Sequence, residues 1–123
     1  RRDCQECERW NMLNPDKVAR RSYLEEQLSG TTGPVIAASD YMRALSEQIA
    51  PWTPNGFFAL GTDGMGRSES REALRRHFEV DAECIALATL YQLSKQGKVD
   101  MKTVAAAVKK LDIDPEKPSA LYA

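Results

Sequence analysis

The residues of this chain best suited to chemistry lie in a glycine-rich loop, residues 61–68, with the sequence GTDGMGRS. The loop follows a segment typical of a strand and precedes one typical of a helix, an arrangement in which backbone N–H groups can bind a phosphate. Its glycines are spaced G-x-x-G-x-G, whereas dinucleotide-binding loops have G-x-G-x-x-G and Walker loops end in Lys followed by Ser or Thr. The spacing therefore argues against either kind of nucleotide site.

Two charged residues, Asp63 and Arg67, stand among these glycines. They can meet the surface of a partner, or they can act inside the protein. In the second interpretation, which we favour, Asp63 accepts hydrogen bonds from N–H groups at a helix start and Arg67 forms a salt bridge within the chain. We treat Gly61, Asp63, Gly64, Gly66 and Arg67 as a candidate structural or interface loop.

A second candidate set consists of thiols and an imidazole. Cys4 and Cys7 form a C-x-x-C pattern and, with His77 and Cys84, supply the ligand types of a zinc site. The separation of His77 from Cys84 is unlike that of a zinc finger, and a helix would place Cys4 and Cys7 on one face, where thiols commonly pack in a core. We expect packing thiols, with metal binding and a redox disulfide as alternatives. An odd number of cysteines without a signal sequence suits a reducing cytoplasm.

His77 is the only histidine. An acid/base role would require a partner that the sequence does not display. We expect instead a hydrogen bond that caps a helix end or lies at an interface.

Length and charge limit the possible functions. The chain has 123 residues, with 17 basic and 18 acidic side chains and a net charge of −1. It holds one domain at most, and without a basic stripe it is not expected to bind nucleic acid. Its longest apolar stretches are far shorter than the roughly 20 residues needed to span a bilayer, so no membrane partner is expected. The start at Arg1, without a signal region, is typical of an internal cut.

The first half of the chain predicts helices around one strand. A helix is expected over Arg2–Leu13, and a capping box at Ser22 and Glu25 predicts a second helix toward Leu28. The apolar run Pro34–Ser39 is typical of a buried strand. Ser39 or Asp40 is expected to cap the next helix, whose apolar stripe is Met42, Leu45 and Ile49.

The second half predicts a further strand and three helices. Phe57–Leu60 follows a turn and should pair in parallel with the first strand. We expect a helix over Glu69–Phe78 with a Glu72–Arg76 surface pair, and a largely buried helix over Ala82–Gln96 ended by Gly97. Asp100 should cap the last helix, with a stripe of Met101, Val104, Val108 and Leu111, and residues 113–123 should form an extended tail.

Two strands of this kind are too few for a stable sheet. Continuous apolar strands need cover on both faces and neighbours at both edges. The pattern therefore predicts a sheet whose remaining strands lie outside these residues.

Longer motifs point to a family. They extend through and beyond the glycine loop and comprise Asp3–Cys4, Cys7–Leu13, Ala38–Met42, Gly61–Glu72, Leu74–Ala82, Val104–Lys110 and Ile113–Pro115. In these motifs, over nearly its whole length, the chain resembles the C-terminal domain of the bacterial homodimeric pyruvate dehydrogenase decarboxylase component. The resemblance implies an α/β domain of the three-layer α/β/α transketolase C-terminal type, truncated on its N-terminal side.

This resemblance also implies how the domain is laid out. We expect one partial domain over residues 1–123, made of a helical lead-in at 1–33, a strand-helix-strand unit with the glycine loop at 34–66, helices at 67–111 and a tail at 112–123.

The resemblance further implies a role. The parent enzyme decarboxylates pyruvate on thiamine diphosphate with magnesium and passes the acetyl group to a lipoyl arm of the dihydrolipoyl acetyltransferase core. The cofactor lies between other domains of opposite subunits, so no catalytic, cofactor-binding or metal-binding residue is assigned to this chain. Its expected partners are the remainder of the decarboxylase chain and the second subunit, against which it packs. The alternative is a stand-alone, non-catalytic interaction or dimerisation module.

Overall fold

The computed structural model describes all residues, 1–123, as six α-helices, a short 3-10 helix and two strands. In chain order these elements are α1 (Arg2–Leu13), α2 (Tyr23–Leu28), β1 (Val35–Ala38), α3 (Arg43–Glu47), the 3-10 helix (Ala50–Trp52), β2 (Phe57–Leu60), α4 (Arg71–His77), α5 (Ala82–Lys95) and α6 (Met101–Lys110). None of the helices is long and apolar enough to span a bilayer.

The two strands form a parallel pair, as predicted. Val35 stands opposite Phe57 and Ala38 opposite Leu60. The N–H groups of Val35 and Ser39 donate to carbonyls of the β2 segment. Because hydrogen-bonding groups alternate along a strand, those of Ile36 and Ala38 point away from β2. Each strand therefore has one unpaired edge.

Local capping signals place several helix ends correctly. Ser22 Oγ accepts from Glu25 N at 3.3 Å, and the Glu25 carboxylate accepts from Ser22 N at 2.9 Å, which confirms the capping box. Gly97 has φ 72° after α5, and Asp100 accepts from Lys102 N at the start of α6. These ends follow from sequence because each cap bonds to its own helix.

The predicted cap of α3 is wrong. This helix begins at Arg43, and neither Ser39 nor Asp40 caps it. Ser39 Oγ accepts instead from Tyr41 N at 3.0 Å. The apolar stripe expected on α3 is also not buried, since Met42 is 58% and Leu45 is 53% exposed.

The core is small. Only 9 of 123 residues are buried, so α5 is not largely buried as predicted. Its buried residues are Cys84, Ala88 and Gln92, and Tyr91 is exposed. The helix contacts β1, β2 and α6. A helix that is apolar nearly all round needs cover on further sides, which these elements do not supply.

The region after α4 differs from two further predictions. Arg76 pairs with Asp81 at 2.9 Å rather than with Glu72, because the chain turns back at Glu79, where φ is 60°. The tail is not extended but forms turns and returns to α4, where Lys117 Nζ donates to His77 O at 2.7 Å.

Candidate functional site at the glycine loop

Gly61 brings the loop against the start of α3. A Cβ atom at this position would lie 2.6 Å from Tyr41 O and 2.7 Å from Arg43 N, so a larger residue would require the backbone to shift. Thr62 N donates to Tyr41 O at 2.9 Å, and Thr62 Oγ1 donates to Asp40 O at 2.7 Å. The first half of the loop is thus bonded to the segment that enters α3.

Asp63 supplies the acceptor that α3 lacks in its own sequence. Its carboxylate accepts from Arg43 Nε at 2.8 Å and from Arg43 N at 3.3 Å. The hydrogen bond from the Arg43 side chain is the main cause that lowers the pKa of Asp63. Asp63 therefore accepts a hydrogen bond from a backbone N–H group at the start of a helix. This helix is α3, which precedes the loop in the chain, and not α4, which follows it.

Gly64 lets the tail pass across the loop. Its φ is 113°, and a Cβ atom there would collide with Ala120 O. A further contact fixes the tail nearby, since Lys117 Nζ also pairs with Glu79 Oε1 at 3.0 Å. The loop thus joins α3 on one side and the C-terminal tail on the other.

Arg67 does not form the predicted internal salt bridge. The ion pairs of the chain are Arg43–Asp63, Arg76–Asp81 and Lys117–Glu79. Arg67 lines a cavity of about 460 Å³ together with Arg71 and Arg75. A Cβ at the neighbouring Gly66 would meet no atom within 4 Å.

Sequence reasoning missed Arg71 and Arg75 as site residues. The available signal was their i, i+4 spacing, which puts two side chains on the same side of a helix. Their position beside the loop depends on how α4 follows it.

The side chain of His77 makes no hydrogen bond within the chain, so the predicted helix cap is wrong, and the alternative of a bond at an interface stays a prediction. Its Nε2 atom is buried without a partner, and its ring meets Phe78 edge-on with centroids 4.8 Å apart. Burial lowers the pKa of His77, and the positive charges of Arg67 and Lys117 lower this pKa further. No carboxylate or nucleophile bonds to the ring, so the structure shows no relay for acid/base chemistry.

The three thiols pack within the chain. Cys4 is 1% and Cys84 is 8% exposed, Cys7 is half-buried, and all are free. Burial raises the pKa of Cys84 to about 12, which disfavours its thiolate. No three His, Cys, Asp or Glu side chains come together as a metal-binding group.

The comparisons with known proteins agree with this fold. The family model described as transketolase-like TK C-terminal domain matches residues 6–81. The chain is 49% identical over 122 residues to the pyruvate dehydrogenase E1 component of Pseudomonas aeruginosa, covering 98% of the chain and 14% of that protein. It is 46% identical over 117 residues to the component of the same name from Escherichia coli K12, covering 94% of the chain and 13% of that protein.

A third relative, the pyruvate dehydrogenase E1 component of Cupriavidus necator, is 44% identical over 120 residues, covering 98% of the chain and 13% of the relative. The chain thus spans 13 to 14% of the length of these relatives. The predicted family and fold class are confirmed. The chain belongs to the family of transketolase-like C-terminal domains.

Proposed function

We propose that this chain is the C-terminal portion of a thiamine-diphosphate-dependent pyruvate dehydrogenase decarboxylase component, in which it is a structural domain that packs in the dimer. The parent oxidatively decarboxylates pyruvate and transfers the acetyl group to the lipoyl arm of a dihydrolipoyl acetyltransferase. The observation that carries this proposal is 49% identity, over 98% of the chain, to a pyruvate dehydrogenase E1 component.

Thiamine diphosphate and magnesium belong elsewhere in the parent. The sequence GTDG at residues 61–64 contains one carboxylate, Asp63, which is already paired with Arg43 at 2.8 Å. Thr62 Oγ1 is likewise committed to Asp40 O. These groups do not fit a magnesium-bound diphosphate, so we assign no step of the reaction to this chain.

An apolar surface supports the packing role. Tyr41, Met42 and Leu45 form the α3 patch, and they are 68%, 58% and 53% exposed. Gly61 and Asp63 hold the start of α3 in place, so the first half of the loop shapes this patch. We assign the α3 patch to contact with the remainder of the decarboxylase chain or the second subunit, and Gly66 and Arg67 to the exposed side of the loop.

The experiment compares the full parent with a version that lacks residues 1–123. Each is supplied with pyruvate, thiamine diphosphate, magnesium and a lipoyl domain, and acetylation of the lipoyl group is measured together with the mass of the protein in solution. We expect the full parent to be an active dimer and the shortened version to lose both properties. Full activity of a shortened dimer would contradict the structural role.

The alternative is a stand-alone interaction or dimerisation module. It is favoured by the unpaired strand edges, because such edges pair readily with another chain. A discrete dimer of the 123-residue chain alone, together with a parent that is active without it, would support the alternative.

A further inference from the structure

A cavity lies between the glycine loop and α4, and Thr62 and Gly64, through which the loop contacts the entry to α3 and the tail, are among its lining residues. Its volume is about 460 Å³, within the range of small-molecule sites. Three of its lining residues are arginines: Arg67 from the loop, and Arg71 and Arg75 from successive turns of α4. They bring three guanidinium groups to one concave surface.

These positive charges have no partner within the chain. None of the three arginines takes part in an ion pair. The backbone N–H groups from Gly64 to Glu72 also donate no hydrogen bond within the chain, and the first bonded N–H after them is that of Ala73. Several residues of this stretch line the cavity, so backbone N–H groups without a partner in the chain lie close to the arginines.

The remaining lining residues add an apolar surface and two carboxylates. Leu74, Phe78 and Val80 contribute the apolar part, and Asp40 and Glu69 contribute the carboxylates. The arginines therefore exceed the lining acids by one charge. Neither acid lies within the 4.0 Å ion-pair distance of an arginine.

We propose that this cavity binds a small organic di- or tricarboxylate. Guanidinium groups match carboxylates through paired N–H donors. Positive groups spread around an apolar surface fit an anion whose charges are spread along a carbon skeleton better than one compact phosphate. This binding goes beyond the proposed function, because it does not depend on the reaction of the parent.

The charge of Arg67 also acts on the neighbouring His77. The positive charge of Arg67 contributes, after burial, to the lowered pKa of His77. An anion bound at Arg67 would weaken this effect.

The test is calorimetric titration of the intact parent protein with citrate, in magnesium-free buffer at fixed ionic strength. Acetate and pyrophosphate are titrated in parallel, as a monocarboxylate and a compact polyanion. The variants are Arg67→Gln and the double variant Arg71→Gln, Arg75→Gln. The control is Arg9→Gln, because Arg9 is exposed on α1, far from the cavity lining in sequence and without an ion pair.

We expect saturable citrate binding that weakens about tenfold or more in each cavity variant, since one charge-assisted hydrogen bond contributes enough for such a change. The control should bind as the unaltered protein does, and circular dichroism should show that all variants are folded. Absence of saturable citrate binding would overturn the proposal. This holds even where the cause is that another part of the parent covers the arginines. Equal losses in the control, or tighter binding of pyrophosphate than of citrate, would also overturn it.

Discussion

Two glycines of the loop, close together in sequence, differ in backbone conformation and in the space around them. Gly64 has φ 113° and faces the backbone of Ala120, whereas Gly66 has open space around it. Gly64→Ala should therefore destabilise the chain by more than about 1 kcal/mol, because alanine disfavours this φ and its Cβ would displace the tail. Gly66→Ala is the matched control and should change stability little. Denaturant unfolding of both variants checks this, and equal stability of the two would contradict the assigned contact with the tail.

His77 should make stability depend on pH. Its folded pKa is lowered from 6.5, so the unfolded chain binds more protons in this range and protonation favours unfolding. The stabilising effect of neutral His77 is complete above about pH 6.5 and is lost as the pH falls through the lower, folded pKa.

His77→Gln should flatten this pH dependence. The measurement is the denaturant midpoint between about pH 5 and pH 7.5, a range that brackets the usual pKa of histidine. Carboxylates also titrate near the lower limit of this range. The quantity to compare is therefore the difference in denaturant midpoint between the variant and the unaltered chain at each pH. An unchanged difference across the range would exclude His77 as the cause.

At the scale of elements, a contact can be predicted from the sequence when its two residues lie close together along the chain. The capping box at Ser22 and the cap at Asp100 were predictable because donor and acceptor lie within one turn. The acceptor of α3 was not, because Asp63 reaches Arg43 N from 20 residues further along the chain. The pairing of Arg76 with Asp81 was missed for a related reason, since it depends on the positive φ of Glu79.

The same distinction holds for the candidate site. The glycine pattern indicated a candidate structural or interface loop, and the structure adds that the backbone of other segments approaches this loop closely at Gly61 and Gly64. The cavity beside it was not foreseen, because it depends on the placement of α4 against that loop. Burial of α5 was overestimated because an apolar pattern shows the need for cover without showing what provides it.

The sheet provides a prediction at this scale. Both strands have an unpaired edge, and such edges tend to pair with other chains. The isolated 123-residue chain should therefore associate or melt broadly.

Adding the segment that precedes it in the parent, in the same chain or as a peptide, should give one species with a sharper melt. Burial of a few hundred Å² of apolar surface contributes several kcal/mol at about 25 cal/mol per Å². Sedimentation and thermal melting test this together, and a compact monomer that melts sharply without the added segment would show that the sheet needs no further strands.

For the whole molecule, the small core agrees with the proposal that this domain packs against other parts of a larger protein. Only 9 residues are buried, and the chain spans 14% of the length of the Pseudomonas aeruginosa relative. A domain that leaves the α3 patch and both strand edges open agrees with the proposed packing role in a larger protein.

The central proposal is that the chain is part of a thiamine-diphosphate enzyme and does not form its cofactor site. Calorimetric titration with thiamine diphosphate and magnesium tests it most directly, on the intact parent and on the 123-residue chain side by side. We predict saturable, magnesium-dependent binding to the parent and no such binding to the chain. Magnesium-dependent binding to the chain alone, or its absence from the intact parent, would contradict the account.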